Sequence, residues 1–346
     1  MINIKREGIL LSPSGLQFED MGVLNPAVIR VGDSVHLYYR AVQKGNHSTI
    51  GYCRLDGPLT VVERWEKPLI VPEFEYESHG VEDPRITKID DLYYLTYTGY
   101  DGINARGALA VSKDLLHFEK HGMIVPPQTY AQFVSIVEGS EKISEDYWLN
   151  PKFYYQSTDI DKKKLLWDKN VIFFPRRINN KLMFLHRLRP GIQLVAINEL
   201  GDLTKEYWNN YFRDFHKHIV LDPLYEHESS YIGGGCPPIE TEYGWLIIYH
   251  GVKRMFNGTF VYSACAALLN LENPLIEIGR LPYALLSPEM EWELKGEVNN
   301  VVFPTGAVLF GSTLYIYYGA ADSLIGCASL NITDLVQELM SGAMNS

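Results

Sequence analysis

Cysteine is scarce in this chain of 346 residues. Cys53, Cys236, Cys265 and Cys327 are far apart, so no metal or redox spacing is present. All four lie in apolar or glycine-rich strand contexts, which predicts buried free thiols. Long hydrophobic runs are missing as well; none approaches the roughly 20 residues that span a bilayer, so no membrane partner is expected. Positive charge is outweighed, with 31 Lys and Arg against 42 Asp and Glu. The net charge of −11 disfavours nucleic acid as a partner. The first residues, MINIKREGILLSP, carry neither a long apolar core nor a small-residue cleavage site. A cytoplasmic location is therefore expected, and the sequons at Asn46, Asn257 and Asn331 are read as coincidental. Helical periodicity is rare too: only NITDLVQELMSG reads as a helix, with Thr333 or Asp334 as cap and Leu335, Val336, Leu339 and Met340 on one face.

What the chain has in abundance is one phrase written five times: VGDSVHLYYRAV from Val31, IDDLYYLTYTGY from Ile89, INNKLMFLHRLR from Ile178, TEYGWLIIYHGV from Thr241 and FGSTLYIYYGAA from Phe310. Each is a polar turn leading into an aromatic-rich strand, and each is preceded by an apolar stretch with a proline near its start. Apolar run, turn and apolar run form the hairpin signature. Recurrence through the chain signals a repeat architecture. The period is close to two and Val, Ile, Tyr and Phe dominate, so the class is all-β. One closed unit over 1–346, a β-propeller with a short C-terminal helix, satisfies hairpins that cannot bury their own faces. The longest gap, from Gly122 to Asn170, reads as outer strands plus a loop overhanging the central face, with Lys162, Lys163 and Lys164 in a solvated turn.

The repeats end in residues able to do chemistry: Arg40, Tyr97, Arg187, His250 and Asp322. In Glu82-Asp83-Pro84-Arg85, the proline holds Asp83 extended at a strand entrance, where its carboxylate can face the axis or accept turn hydrogen bonds. Lys169, Arg187 and His250, with Arg176, Arg177 and Arg189 nearby in sequence, suggest an anion held at the axis of an otherwise acidic protein. Ile232-Gly233-Gly234-Gly235 would let backbone approach a ligand or form a plain turn. Glu226 and Glu228 just before it are candidate acid–base groups or a solvated acidic loop. Tyr97, Tyr100, Tyr249 and Tyr262 add aromatic hydroxyls, a surface suited to a sugar.

Taken in order, these motifs resemble glycoside hydrolase family 130, the mannoside phosphorylases and β-mannosidases built on five-bladed β-propellers. The resemblance runs from Asn25-Pro26 and Arg40 through Glu82-Asp83-Pro84-Arg85, Phe174-Pro175-Arg176, His186-Arg187, Ile232-Gly233-Gly234-Gly235 and Tyr249-His250-Gly251 to Tyr318-Gly319-Ala320-Ala321-Asp322. It implies five blades and a metal-independent, cofactor-free enzyme that removes mannose from the non-reducing end of β-mannosides. It implies Asp83 as general acid, acting through the mannose 3-hydroxyl. It implies Asn25, Arg40 and Asp322 around the terminal mannose, and Lys169, Arg187, His250 and Tyr262 around inorganic phosphate. The expected partners are then a β-mannoside oligosaccharide and phosphate, and the product is α-mannose 1-phosphate by inversion; a homo-oligomer is compatible with this. The phosphorylases usually carry Lys or Arg where this chain has Tyr231. That departure keeps an inverting β-mannosidase open, probing β-1,2 links with Glu228 or Glu226 as base, and beside it a non-catalytic glycan-binding propeller.

Overall fold

The computed structural model describes residues 2–149 and 164–343; Lys162 and Lys163 lie outside them. Strand β1 (Lys5–Leu11) comes first. Blade 1 holds β2 (Gly22–Val31), β3 (Ser34–Gln43), β4 (His47–Asp56) and β5 (Thr60–Arg64). Blade 2 holds β6 (Gly80–Ile89), β7 (Leu92–Tyr100), β8 (Ala105–Ser112) and β9 (Phe118–Met123). Blade 3 is β10 (Lys169–Phe173), β11 (Leu182–Arg187), β12 (Ile192–Ile197) and β13 (Ile219–Leu221). Blade 4 is β14 (Tyr231–Gly234), β15 (Ile239–Thr241), β16 (Gly244–Arg254), β17 (Phe260–Leu269) and β18 (Glu277–Arg280). Blade 5 is β19 (Val302–Phe310), β20 (Thr313–Ala320) and β21 (Leu324–Asn331), and β1 pairs antiparallel with β21 as its outer strand. The N-terminal strand thus closes the ring by completing the fifth blade of a β-propeller.

Each repeated phrase is the hairpin into a blade's second strand. Val31 faces Ser34, Ile89 faces Leu92, Ile178 faces Lys181, Thr241 faces Gly244 and Phe310 faces Thr313, leaving two turn residues each time. Gly32, Asp90, Asn179, Asn180 and Gly311 have positive φ in these turns, as the twist of a two-residue hairpin demands. Hydrophobic cores fill the spaces between neighbouring blades. Tyr38 and Ile50 meet Ile86 and Leu95 between blades 1 and 2, and Phe174 and Leu185 meet Ile247 and Tyr249 between blades 3 and 4.

Four first strands slip register at one place: Leu24/Ala27, Glu82/Arg85, Lys169/Ile172 and Pro304/Gly306. Such bulges re-aim a side chain. Pro26 and Pro84 occupy the slip, where the ladder does not need the missing N–H. The residues before them are not extended as expected. Asn25 has φ 50° and Asp83 φ 48°, and Asn170 at φ 58° repeats the shape in blade 3. Asn and Asp tolerate this left-handed region best among residues with a Cβ.

Beneath the repeats runs a second pattern. Short helical turns Gln17–Glu19, Glu75–Glu77, Glu226–Glu228 and Glu291–Leu294 each sink one glutamate entirely from solvent: Glu19, Glu77, Glu228 and Glu293. Each accepts the hydroxyl of the repeat's tyrosine: Tyr39 at 2.6 Å, Tyr97 at 2.6 Å, Tyr249, and Tyr318 at 2.7 Å. Each also meets a cation from its own blade or the closing strand: Arg64 at 2.9 Å, Lys120 at 2.7 Å, Arg280 at 3.3 Å and Arg6 at 3.0 Å. In blade 3 a histidine takes the tyrosine's place, with His186 Nδ1 2.7 Å from Asp168 and Nε2 2.7 Å from the Tyr211 hydroxyl.

The gap after blade 2 departs from its expectation. It carries the helix Tyr130–Val137, opened by Thr129, which accepts from the Gln132 N–H at 3.2 Å. A second unforeseen helix, Lys205–Arg213, delays the outer strand of blade 3, and Phe133 packs against Phe212 and Phe215. The C-terminal helix spans Ile332–Ala343 as expected, but its cap is Asn331, whose Oδ1 accepts from the N–H groups of Thr333 and Asp334. Leu335, Val336 and Leu339 are buried, as are the four free cysteines. No helix among the described residues is long and apolar enough to cross a membrane.

The buried locks should dominate mutational stability. Lys120→Ala strands Glu77 without its cation and should cost about 3–5 kcal/mol by urea denaturation. Arg176→Ala breaks a pair of the same 2.7 Å length with Glu240 on the surface and should cost less than about 1 kcal/mol.

Candidate active site

A strand sends successive side chains to opposite faces. With each tyrosine turned down to its glutamate, the next residue faces the other way: Arg40 after Tyr39, Arg187 after His186 and His250 after Tyr249. Blade 2 offers Thr98 there, and blade 5 offers Gly319, against which Asn25 packs so closely that a Cβ would stand 2.1 Å from its Oδ1.

Asp83 is the meeting point. Its Oδ1 accepts from Asn25 Nδ2 at 2.7 Å and lies 3.6 Å from Arg40 Nη1, while Oδ2 is 3.8 Å from Lys169 Nζ. Blades 1, 2 and 3 therefore converge on one carboxylate that is nine-tenths buried. Burial opposes its ionisation, but Lys169, Arg40 and Arg85, with the Asn25 hydrogen bond, hold it well below the usual carboxylate range. Arg40 is itself clamped by Glu82 at 2.8 Å and by Ser48 Oγ at 2.9 Å. Asp322 lines a cavity of about 300 Å³ together with Arg40, Leu24 and Glu297. Burial pushes Asp322 up to about 6 against the pull of Arg40, with Asp83 adding to the rise.

A second group is cationic. Lys169 and Arg187 are direct cross-strand partners on β10 and β11, an unfavourable pairing of like charges. Arg187 is buried, and its Nε and Nη2 have no protein partner. Both ring nitrogens of His250 are also buried and unpartnered, and its ring lies 4.4 Å from that of Phe303. Burial, then Arg187, Arg85 and Lys169, depress His250 well below the usual imidazole range, so it is neutral beside them. Arg187 is lowered to about 10, chiefly by burial and then by Arg189. The glycine run serves this group. A Cβ on Gly233 would stand 2.5 Å from His250 and 2.7 Å from Arg187. Gly235 offers its carbonyl to Arg85 Nε at 2.6 Å across the axis. Tyr262 joins the group through Tyr231, their hydroxyls 2.9 Å apart.

Several expected site residues do not reach this place. Tyr97 and Tyr249 are buried in the locks, and Tyr100 donates to the Gly102 carbonyl at 2.9 Å. Glu228 is not a base in waiting: Tyr249, two backbone N–H groups and Arg280 take its oxygens. Glu226 is exposed and paired with Lys253 at 2.5 Å. Arg176 and Arg177 bind Glu240 and the Asn198 carbonyl on the surface. Ser48 and Glu82, which hold Arg40, carried no role in the sequence, whereas Arg189 stood only among the nearby cations and Arg85 only as a neighbour of Asp83. Glu82 and Arg85 stood within the quoted motif; the spacing that exposes the locks, Pro-x4-Glu at Pro72/Glu77, Pro223/Glu228 and Pro288/Glu293, was also legible.

Among the described residues one trio, His227, Glu228 and Cys265, offers metal-type donors within 4.8 Å of one another. Arg280 already balances the Glu228 charge, and a cation there would have to displace it.

Asp322 gives the site a stability signature. Its folded pKa of about 6 lies above that of an ordinary aspartate, so the folded state holds a proton that the unfolded chain has released. Wild-type stability should fall as pH rises from 4 to 7, and Asp322→Asn should lack that loss. The variant's advantage, read by urea denaturation, should grow by about 2–3 kcal/mol across this window.

The chain is similar to known proteins along nearly its whole length. The profile of a family described as beta-1,4-mannooligosaccharide phosphorylase matches residues 16–341. A 1,2-beta-oligomannan phosphorylase of Thermoanaerobacter sp. (strain X514) is 32% identical over 97% of this chain and 99% of its own length. A beta-1,2-mannobiose phosphorylase of the same organism is 33% identical over 90% of this chain and 91% of its own. The solved beta-1,2-mannobiose phosphorylase of Listeria innocua shares the fold, with a TM-score of 0.71 at 24% identity over 98% of this chain and 99% of that one. The chain belongs to glycoside hydrolase family 130, and it is an enzyme of the phosphorylase and glycoside hydrolase type.

Proposed function

We propose that the protein is an inverting phosphorylase that removes the terminal mannose of β-mannosides as α-mannose 1-phosphate. The observation that carries this reading is the buried cationic group. Lys169 and Arg187 pair across β10 and β11, and among the described residues Arg187 has no carboxylate and the neutral His250 has no hydrogen-bond partner. Unpaired buried charge is costly, and an anion relieves it. Inorganic phosphate fits, because it attacks as an anion and needs no protein base. That matters where Glu228 is already engaged and Glu226 is on the surface. Asn25, Arg40 and Asp322 then hold the mannose, whose 3-hydroxyl relays the Asp83 proton to the departing oxygen. Phosphate stands on the opposite face of the sugar, which gives inversion. We favour β-1,2 links, the linkage named for both Thermoanaerobacter relatives that span nearly the whole chain.

The reaction requires a protonated Asp83, whereas the surrounding cations hold it ionised. Phosphate beside Lys169 and Arg187 offsets that field and raises the Asp83 pKa. Substrate binding is thereby coupled to arming of the acid.

Incubation with β-1,2- and β-1,4-mannobiose, with and without phosphate, tests the reading. Phosphate-dependent mannose 1-phosphate from the β-1,2 sugar is expected; free mannose without phosphate would establish hydrolysis. Asp83→Asn should lower kcat by about 10²–10⁴-fold while mannobiose still binds. Calorimetry of phosphate binding in buffers of different ionisation enthalpy should show more proton uptake by wild type than by Asp83→Asn.

A further inference from the structure

Beside the cations described so far lies the guanidinium of Arg189. Arg189 follows β11 by two residues and lies with its Cζ 3.7 Å from the centre of the Tyr231 ring. Arg187 lies 5.3 Å from the centre of that same ring. Two guanidiniums therefore crowd one aromatic side chain, and among the described residues no carboxylate pairs with either. The crowding is built in. Ile232 N–H donates to the Pro190 carbonyl at 2.9 Å, tying the Arg189 loop to the strand that carries Tyr231. Gln193 pins the loop from behind, accepting from the Leu188 N–H at 2.6 Å and donating to its carbonyl at 3.0 Å. Arg189 is half-buried, whereas Arg187 is buried.

An arginine stacked on an aromatic face keeps its in-plane N–H groups free for an anion. The environment of Tyr231 agrees: burial raises its phenol, but Arg189 and Arg187 outweigh that and lower it. Tyr231 in turn bonds the Tyr262 hydroxyl, and its ring meets that of His250 edge-on at 6.4 Å. The ring is thus a platform between Arg189, Arg187, His250 and Tyr262.

We propose that Arg189 is a phosphate-binding residue of this site, seated by the Tyr231 ring at its solvent side. Arg187 and His250 hold the anion from below, and Arg189 covers it from the loop. The proposal rests on the phosphorylase reading for its reaction, but the site itself is an anion site whichever acceptor the enzyme uses.

Titration calorimetry with inorganic phosphate, and separately with mannobiose, on the whole protein tests it. Arg189→Ala should weaken phosphate at least tenfold and leave mannobiose within twofold. Arg189→Lys should recover most of the loss, Tyr231→Phe should change phosphate affinity less than threefold, and Tyr231→Ala should weaken it as much as Arg189→Ala. Tyr231→Arg in the Arg189→Ala background should restore binding, since that side chain grows into the same space. Thermal melts of each variant identify any that fail to fold, and the lysine variant then decides. Phosphate affinity within twofold of wild type in Arg189→Ala would overturn the proposal, as would a wild-type protein that binds no phosphate. Arg189-dependent phosphate binding in an enzyme that releases only free mannose would uphold this site while sinking the phosphorylase reading.

Discussion

A tyrosine hydroxyl seated on a sunken glutamate is the interaction on which the rest of this propeller depends. Tyr39, Tyr97, Tyr249 and Tyr318 each reach a carboxylate hidden from solvent, and a cation from the blade balances it. A buried carboxylate is tolerable only when its oxygens are filled and its charge compensated. Filling them fixes the register of the second strand, because a slip of one residue would turn the tyrosine away. The following residue is then committed to the opposite face. That is how Arg40 and His250 come to the centre without any loop having to place them. Blade 3 achieves the same through Asp168, His186 and Tyr211, which set Arg187.

The centre itself is deliberately unbalanced in charge. Arg40 is satisfied by Glu82 and approaches Asp83, and Arg85 spends its donors on carbonyls, that of Gly235 across the axis and that of Asp83 on its own strand. Lys169 reaches Asp83 only at 3.8 Å, and Arg187 and His250 keep buried donors and acceptors unfilled. Such a group is stable because the blades around it are held elsewhere, by the interblade cores and the locks. On the proposed reading, phosphate beside Lys169 and Arg187 offsets the field that keeps Asp83 ionised.

Much of the fold was legible because it rests on local rules. Two-residue turns, alternating apolar strands and recurrence at each blade need no tertiary information, and they led to five hairpins and a closed ring. Other features misled for equally physical reasons. Pro84 implied an extended Asp83, but the bulge lets the chain take a left-handed turn there, and Asn25 and Asn170 follow suit. Glycines 233 to 235 read as an approach to a ligand or a plain turn, whereas they make room for the protein's own His250, Arg187 and Arg85. Tyr97 was aligned one position early: it is the lock residue, and Thr98 is its outward neighbour. Glu228 read as a free acid because sequence does not reveal which carboxylates are already occupied.

By itself the sequence determined the class, the closed ring, the helix after Asn331 and the residues that gather around Asp83, since each follows from spacing, turn chemistry or a motif read in order. Only the tertiary structure decided which of several acids and tyrosines are structural, because that depends on partners brought from distant positions, as Arg280 is to Glu228. It also decided what Tyr231 means. In the chain it is an aromatic residue where the family resemblance led one to expect a cation. In the folded ring it lies under Arg189, two residues beyond a different strand, and the positive charge is present after all.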